Sequence, residues 1–279
     1  MNVTVLVENT SYGDIAGEHG LCLLVEHYGK KYLIDTGASK LFAENASKLG
    51  IDLAQVDVAF LSHAHYDHSG GYDVFFEKNS KATLYMQGTC RNKYYYKVAG
   101  PVKKYIGIPK GMVETFSDRI EYVNGYMELG DGVYICPHTT KGLELRGKHA
   151  HMYRVDESGM VPDDFSHEQT IVFQEGEYLY IFNSCSHGGV DNIIDEVKQK
   201  FPNKRIVSFF GGFHMMGSLG VDTCAYSEDE VKAVARTIKE SSLATFYTGH
   251  CTGHVALAWL KDVLGDRVVS IHSGMIINN

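Results

Sequence analysis

The segment His63-Ala64-His65-Tyr66-Asp67-His68 places three imidazoles and a carboxylate within six residues. It comes directly after an apolar run, Val56-Asp57-Val58-Ala59-Phe60-Leu61, which is typical of a buried strand. We therefore expect the cluster on the loop at the end of that strand. Imidazole nitrogens and carboxylate oxygens suit zinc, iron or manganese. Because four such side chains would waste buried polarity without a ligand, this run predicts a metal site.

The spacing inside the run also suggests how many ions it binds. Residues two apart in an extended segment point to the same side, so His63 and His65 can bind one ion together. If the chain then enters a helix, Asp67 and His68 turn toward a second point. This order suits two adjacent metals, and a pair about 3.5–4 Å apart can bind the attacking and the leaving oxygen of a substrate.

Composition excludes several classes of protein. The chain has 279 residues, of which 44% are hydrophobic and 22% are charged, as in an ordinary globular α/β protein. A net charge of −8 without a long run of like charges argues against a nucleic-acid partner. The first residues alternate like a strand and lack the features of a signal peptide, and no long apolar stretch predicts a membrane span. The scattered cysteines form no Cys-x-x-Cys pair, so we expect reduced thiols and a cytoplasmic protein.

Three strands predicted in the second half each end in a loop of small residues that carries one histidine. The strands cover residues 178–182, 205–210 and 245–247, and the histidines are His187, His214 and His250. Ligands collect at strand ends in α/β proteins, so these histidines are candidates for the same site. The two halves look like similar sheet-and-helix units, although no tandem repeat is visible.

Two segments show weak periodicity. Residues 88–110 are rich in Tyr, Lys and Gly and predict an insertion that acts as a lid. Its tyrosines offer faces for stacking, and Lys103 and Lys104 offer charge for a phosphate group. The alternative is a surface insertion that only packs on the rest of the fold. Residues 139–165 are polar with several glycines and predict a second, mobile loop.

The ligand run resembles the signature of the metallo-β-lactamase superfamily, and Asp35-Thr36-Gly37 is similar to its Asp-Thr-Gly segment. The resemblance implies an αββα sandwich, with two mixed sheets between helical layers, as a single domain over residues 1–279. Further segments resemble the dihydropterin–ribofuranosylaminobenzene phosphate synthase-like branch: Glu18-His19-Gly20, Cys185-Ser186-His187, Gly211-Gly212-Phe213-His214 and Thr248-Gly249-His250-Cys251-Thr252-Gly253. That branch implies metal-dependent chemistry on a pterin and a phosphorylated aromatic riboside.

The resemblance also implies a ligand set for each of two ions. The first would be held by His63, His65 and His187, and the second by Asp67, His68 and His250. The chain departs from the better-known hydrolases because Cys185 stands at the strand end where they carry a bridging aspartate. Glu168 or His167 could occupy the position of their preceding histidine. Because of this departure, two alternatives stay open: a full dinuclear site, or a site that binds one metal ion tightly and a second one weakly.

Three side chains have two interpretations each. Cys185 is either near the metal or simply a small buried residue. His214 either contacts metal or substrate, or locks its loop through a hydrogen bond. His19 either orients a metal ligand or is an ordinary residue beside a strand.

These observations predict a metal-dependent hydrolase or transferase that acts on a small, phosphorylated substrate through metal-activated water. We expect one or two divalent ions, with zinc ahead of iron and manganese, and Asp67 as the catalytic residue that holds metal and orients the water or proton. We expect a small-molecule partner, no nucleic-acid or membrane partner, and a homo-oligomer as a further option. The alternative is a non-catalytic metal-binding sensor or ligand-binding protein on the same fold, which turnover of a generic phosphodiester or lactone would exclude.

Overall fold

A computed structural model describes residues 1–99, 102–146, 151–241 and 245–278. The chain separates into two compact units. The first unit comprises Met1–Asn124, Tyr153–Val161 and Ile271–Asn279, and the second comprises Gly125–Met152 and Pro162–Ser270. The expectation of one domain over residues 1–279 stays a prediction.

Twenty strands form four sheets in the described part of the chain. In the first half they are β1 (Asn2–Val7), β2 (Cys22–His27), β3 (Lys30–Ile34), β4 (Val58–Phe60), β5 (Thr83–Gln87), β6 (Lys93–Ala99), β7 (Val102–Tyr105), β8 (Ile120–Val123), β9 (Met127–Gly130) and β10 (Val133–Pro137). The remainder are β11 (Met152–Asp156), β12 (Gly159–Pro162), β13 (Gln169–Glu175), β14 (Tyr178–Phe182), β15 (Arg205–Phe210), β16 (Met216–Gly217), β17 (Gly220–Cys224), β18 (Thr245–Thr248), β19 (Val268–Ser270) and β20 (Ile276–Asn278).

Seven α-helices accompany these strands among the described residues. They are α1 (Leu41–Lys48), α2 (Tyr66–Ser69), α3 (Tyr72–Lys78), α4 (Met112–Thr115), α5 (Val190–Lys200), α6 (Glu228–Glu240) and α7 (His254–Leu264). No helix in this part of the chain is both long and apolar enough to cross a membrane.

The sheet of the first unit has the order β20-β1-β2-β3-β4-β5-β8. Strands β1, β2 and β3 pair antiparallel, and the turn of the β2–β3 hairpin contains Tyr28 and Gly29. Both turn residues have positive φ, 46° and 78°, which matches the twist of a tight hairpin. Strands β3, β4, β5 and β8 are parallel, so their carboxyl ends meet at one edge of this sheet. Asp35 follows β3 at this edge, and the predicted ligand run follows β4.

The sheet of the second unit has the order β19-β18-β15-β14-β13-β10-β9. It repeats the same plan, since β10, β13 and β14 pair antiparallel and β14, β15, β18 and β19 are parallel. The parallel strands bring the loops that carry His187, His214 and His250 to one edge of this sheet.

The core of the second unit is formed by the apolar faces of its helices and sheet, with Ile193, Phe209, Val231 and Leu260 all nearly inaccessible to solvent. Helix α6 begins with a capping box. The Ser227 side chain accepts a bond from the Glu230 backbone, and the Glu230 carboxylate accepts one from the Ser227 N–H at 2.8 Å. This capping box satisfies donors that the first helical turn would otherwise leave open.

The two segments with weak periodicity contain strands. Strands β6 and β7 form an antiparallel hairpin within residues 88–110, and β11 and β12 lie within residues 139–165. They combine into one four-stranded sheet of order β12-β11-β6-β7. Because β6 and β11 are far apart in sequence, their pairing leaves no local pattern, and the lid and the mobile loop stay predictions. Gly100 and Pro101 of the first segment, and residues 147–150 of the second, lie outside the described residues.

Candidate metal centre

The ligand run changes conformation in the middle, as its spacing predicts. His65 is extended, with φ −106° and ψ 148°, and α2 begins at the next residue. His63, His65, Asp67 and His68 are all buried, and the exposed fraction of none of them exceeds 8%. Burying this many polar side chains is costly unless they bind a partner, so the run has the burial expected of a metal site.

A buried carboxylate determines which nitrogen of each histidine is available. Asp35 accepts hydrogen bonds from the Ser62 N–H at 2.7 Å and from the Ser62 hydroxyl at 2.6 Å. It also lies 2.8 Å from Nδ1 of His68, which must donate because an ionised carboxylate only accepts. Since the Ser62 hydroxyl already donates to Asp35, it accepts from Nδ1 of His63 at 2.8 Å. Both histidines are thus held as the tautomer whose lone pair is on Nε2.

This donor set fits a divalent metal ion. The ring centroids of His63 and His68 lie 4.2 Å apart, and those of His63 and His65 lie 4.7 Å apart. Three imidazolium ions so close together would repel one another, and a bound cation relieves this by taking the ring lone pairs. Ligand atoms of Asp35, His63 and His68 lie within 4.8 Å of one another. Neutral imidazoles oriented by a carboxylate are the arrangement found around protein-bound metals.

Asp67 has its own partner. Its Oδ2 lies 3.3 Å from Nε2 of His19 and 3.8 Å from Nε2 of His68. The neighbouring Glu18 accepts bonds from the backbone N–H groups of Ala38 and Ser39, both at 3.0 Å. The segment Glu18-His19-Gly20 therefore contacts the loop after β3 through Glu18 and the ligand run through His19.

Gly70 allows this loop to pack closely against the ligand run. A side chain at Gly70 would overlap the backbone carbonyl of Ala38, so only glycine fits. The close packing holds α2, and with it Asp67 and His68, in a defined position.

Several residues at the strand ends adopt a left-handed backbone conformation that non-glycine residues rarely occupy. The φ angles are 61° at Asp35, 53° at Ser186, 52° at His214 and 45° at His250. Each such residue costs about 1–3 kcal/mol and persists only where surrounding contacts hold it, which happens most often at functional sites. Neither the composition of the sequence nor the spacing of its motifs predicts this backbone strain.

In the second unit, hydrogen bonds fix the loop that carries Ser186 and His187. The Asn183 side chain accepts from the Ser186 N–H at 2.7 Å, and the Ser186 hydroxyl donates to the Gly212 carbonyl at 2.7 Å. These bonds join the end of β14 to the end of β15. They account for the strained backbone at Ser186.

Glu168 also holds this loop. One carboxylate oxygen accepts from the His187 N–H and the other from the Gly188 N–H, both at 2.8 Å. Burial raises the pKa of the Glu168 carboxyl, against the opposing effects of His138 and of the two backbone N–H groups. Glu168 therefore positions the backbone of His187. Its neighbour His167 lies 3.1 Å from Asp163, and both side chains are fully buried.

Two thiols and an imidazole form a second cluster in the same unit. Ligand atoms of Cys185, His214 and Cys251 lie within 4.8 Å of one another, and all three residues are buried. The backbone N–H of His214 points to the Cys251 sulfur at 3.3 Å, and the His214 ring lies 4.1 Å from that of His187. Thiolate and imidazole are ligands for zinc and for iron. His250 is also buried, at the turn after β18.

The predicted lid residues lie on β7 and are exposed. Nζ of Lys104 is 5.0 Å from the ring centroid of Tyr66, and Nζ of Lys103 is 4.9 Å from that of Tyr95. The Tyr66 N–H also donates to the carbonyl of Ile106, just after β7, at 2.9 Å. Since Tyr66 is part of the ligand run, the hairpin contacts that run directly.

Within the first unit, the structure brings together His19, His63, His65, Asp67 and His68. Within the second, it brings together Cys185, His187 and His214, with Glu168 behind the backbone of His187. Sequence reasoning missed the roles of three residues: Asp35, Ser62 and Cys251. For Asp35 a signal existed, since it opens the Asp-Thr-Gly segment at the end of a strand. Ser62 and Cys251 are adjacent to predicted histidines but show no pattern of their own.

Known proteins resemble this chain in sequence and in fold. A sequence profile of the metallo-beta-lactamase superfamily matches residues 16–170. An uncharacterized protein of Methanocaldococcus jannaschii, MJ0448, is 24% identical over 99% of both chains. From the same organism, 7,8-dihydropterin-6-methyl-4-(beta-D-ribofuranosyl)-aminobenzene-5'-phosphate synthase is 22% identical, covering 93% of this chain and 90% of the synthase.

Among solved structures, Tm1679 is described as a metal-dependent hydrolase of the beta-lactamase superfamily. It is 27% identical to this chain, with a TM-score of 0.84 over 100% of this chain and 99% of its own. The expected mixed α/β fold is thereby confirmed, and the profile covers more than half of the sequence. The chain belongs to the metallo-beta-lactamase superfamily.

Proposed function

We propose that this chain is a metal-dependent hydrolase or transferase that acts on a small, phosphorylated substrate. The observation that carries the proposal is the group of buried imidazoles at His63, His65 and His68, two of which are oriented by the Asp35–Ser62 network. A bound divalent ion would lower the pKa of a water molecule toward about 7 and so supply a nucleophile at neutral pH. Zinc is the first choice for this donor set, and iron or manganese would also suit it.

The proposed ligands are those that the sequence predicts. They are His63, His65 and His187 for one ion and Asp67, His68 and His250 for the other, with Cys185 and His214 as further candidates. The cysteine favours zinc or iron over manganese, since thiolates are soft ligands. Cys185 in place of a bridging aspartate also supports unequal affinity for two ions.

Asp67 is the proposed catalytic residue. Its carboxylate lies beside His68 and 3.3 Å from His19, so it can hold a proton at Oδ2 or pass one to an imidazole. The exposed lysines Lys103 and Lys104 offer positive charge to a phosphate group near Tyr66. The relation to a synthase that carries a phosphate in its name supports a phosphorylated substrate.

The discriminating experiment is Asp67→Asn in the metal-loaded protein. Asparagine keeps the shape but loses the charge, so we expect turnover of bis(4-nitrophenyl) phosphate or of a simple lactone to fall by about 100-fold or more, with a much smaller change in KM. Asp73→Asn is the matched control, because Asp73 is exposed in the first turn of α3. Retained activity in Asp67→Asn would move catalysis to another residue. Metal binding without turnover of any such substrate would favour the sensor or ligand-binding alternative.

We also propose a cytoplasmic protein with a small-molecule partner, no nucleic-acid or membrane partner, and self-association into a homo-oligomer. None of the six cysteines, all of which lie in the described part of the chain, is in a disulfide, which supports a reducing compartment. The net charge of −8 supports the exclusion of nucleic acid. Sedimentation of the purified protein would determine the oligomer.

A further inference from the structure

A cavity of about 410 Å³ lies within the second unit, beside the loops after β14 and β15. His187 and His214 form part of its wall, and the remaining wall comes from α5, from α6 and from the segment before residue 147. Its volume is in the range of about 300–1,000 Å³ that is typical of small-molecule sites. Because the cavity lies next to two of the proposed metal-site histidines, part of a substrate that reacts there could occupy it.

Apolar side chains form one side of the cavity. Val190, Phe213, Met215 and Val231 line it, and all four also belong to the hydrophobic core of this unit. Because the core holds these side chains in place, this wall is preformed and need not rearrange to accept a ligand. A wall of this kind binds an apolar or aromatic body, with Phe213 available for a ring contact.

One cation faces this apolar wall. Arg146 lines the cavity and is half-buried, and among the described residues no carboxylate forms an ion pair with it. Its guanidinium lies directly against Gly189, where a side chain would overlap the terminal nitrogen unless the arginine moved. Because Gly189, at the start of α5, has no side chain, the guanidinium can occupy this space. A planar guanidinium can bind a phosphate or carboxylate group through two parallel hydrogen bonds.

The other polar groups of the cavity limit its charge. Tyr226 lies near Arg146; burial raises the pKa of its hydroxyl while Arg146 lowers it, and the net effect keeps a donor O–H. Glu230 is already engaged in the capping box with Ser227. The Asp191 carboxylate also lines the cavity, and its buried Oδ1 accepts no hydrogen bond from the described residues. One cation beside one carboxylate favours a ligand with a single oxyanion group over one with several such groups.

We propose that this cavity binds the part of the substrate that does not react: an apolar or aromatic body that carries a single oxyanion, which Arg146 recognises. This inference rests on the proposed function, because it assigns the cavity to the substrate of the same site. It places the charge recognition of the second unit on Arg146, independently of the lysines on β7.

The test uses full-length, metal-loaded protein and three probes: phenyl phosphate, phenylacetate and neutral benzyl alcohol. Titration calorimetry should show that Arg146→Gln weakens binding of an oxyanion probe about tenfold or more, with no change for benzyl alcohol. Arg146→Lys should restore only part of the affinity, because an ammonium group cannot form the paired hydrogen bonds. An effect on phenyl phosphate alone identifies phosphate as the recognised group, and one on phenylacetate alone identifies a carboxylate.

Two further variants locate the site. Arg205→Gln removes an exposed arginine of the same unit that does not line the cavity, and it should leave all three affinities unchanged. Ala233→Phe adds bulk at an exposed position of the cavity wall and should weaken all three probes. The inference is overturned if the wild-type protein binds neither oxyanion, or if Arg146→Gln binds both as tightly as the wild type.

Turnover is measured separately on bis(4-nitrophenyl) phosphate. If binding depends on Arg146 while the metal-loaded protein turns over no substrate, the proposed function fails, and the cavity remains an oxyanion-binding site that depends on Arg146. If turnover occurs while Arg146→Gln changes no affinity, only the cavity assignment fails.

Discussion

At the residue scale, one carboxylate controls two of the predicted metal ligands. Asp35 is buried and lies outside the ligand run. It accepts hydrogen bonds from the backbone N–H and the hydroxyl of Ser62 and from Nδ1 of His68. Through Ser62 it also fixes the tautomer of His63. Replacing a side chain that orients metal ligands in this way typically lowers metal affinity by about 10- to 100-fold.

We predict that Asp35→Asn lowers metal affinity by about 10- to 100-fold, since the amide nitrogen of asparagine cannot accept a bond from Nδ1 of His68. Competition with a metal-binding dye measures this change, and circular dichroism checks that the fold is kept. Asp57→Asn is the matched control. Asp57 is a partly exposed carboxylate that accepts from the Lys31 N–H and from Lys81, so its replacement should leave metal affinity as it is. Equal affinities in both variants would show that Asp35 does not orient the ligands.

At the scale of the element, the predicted lid corresponds to the hairpin of β6 and β7. The hairpin is part of a four-stranded sheet and contacts the ligand run through Tyr66. A lid and a packed surface hairpin would both make these contacts. The exposed lysines separate the two, because only a lid requires them to meet the substrate.

We predict that replacing Lys103 and Lys104 together with alanine raises KM for a phosphorylated substrate several-fold, because each lysine removed takes away a charge-assisted bond to phosphate. Metal content and the kinetics on a neutral ester should not change. The matched control replaces another adjacent pair, Lys30 and Lys31, at the β2–β3 turn. If KM rises equally in both double variants, the effect comes from net charge and the hairpin is only a packing element.

At the scale of the whole molecule, metal binding should add to the free energy of unfolding. The proposed ligands are spread along the sequence from His63 to His250, so an unfolded chain cannot hold an ion with all of them. A ligand that binds only the folded state stabilises it by about 4 kcal/mol at a thousand times its Kd.

We predict that removing metal with a chelator lowers the Tm of the full-length protein by several degrees and that zinc restores it. His63→Ala should reduce both the metal content and this dependence, while the fold is kept because the ligand run lies at the edge of a sheet. Elemental analysis and thermal unfolding measure the two quantities on the same samples. Less than about a tenth of an equivalent of metal, without uptake on reconstitution, would contradict a metal-dependent protein.

The sequence by itself determined the features that depend on neighbours along the chain. The change from extended to helical backbone within the ligand run, the β2–β3 turn at Tyr28 and the capping box at Ser227 were all predictable, because spacing and local hydrogen bonds produce them. The histidines at strand ends were predictable for a related reason, since parallel strands deliver their carboxyl ends to one edge.

Only the tertiary structure decided which distant residues meet. Asp35 and His68 are 33 positions apart, β6 pairs with β11, and Arg146 lies against Gly189, yet none of these partners shows a local pattern. The left-handed backbone at His214 and His250 likewise depends on surrounding contacts and not on residue type. Such contacts form only when packing brings separate segments together. The residue that stabilises each of these positions is distant in sequence, so a local pattern cannot reveal it.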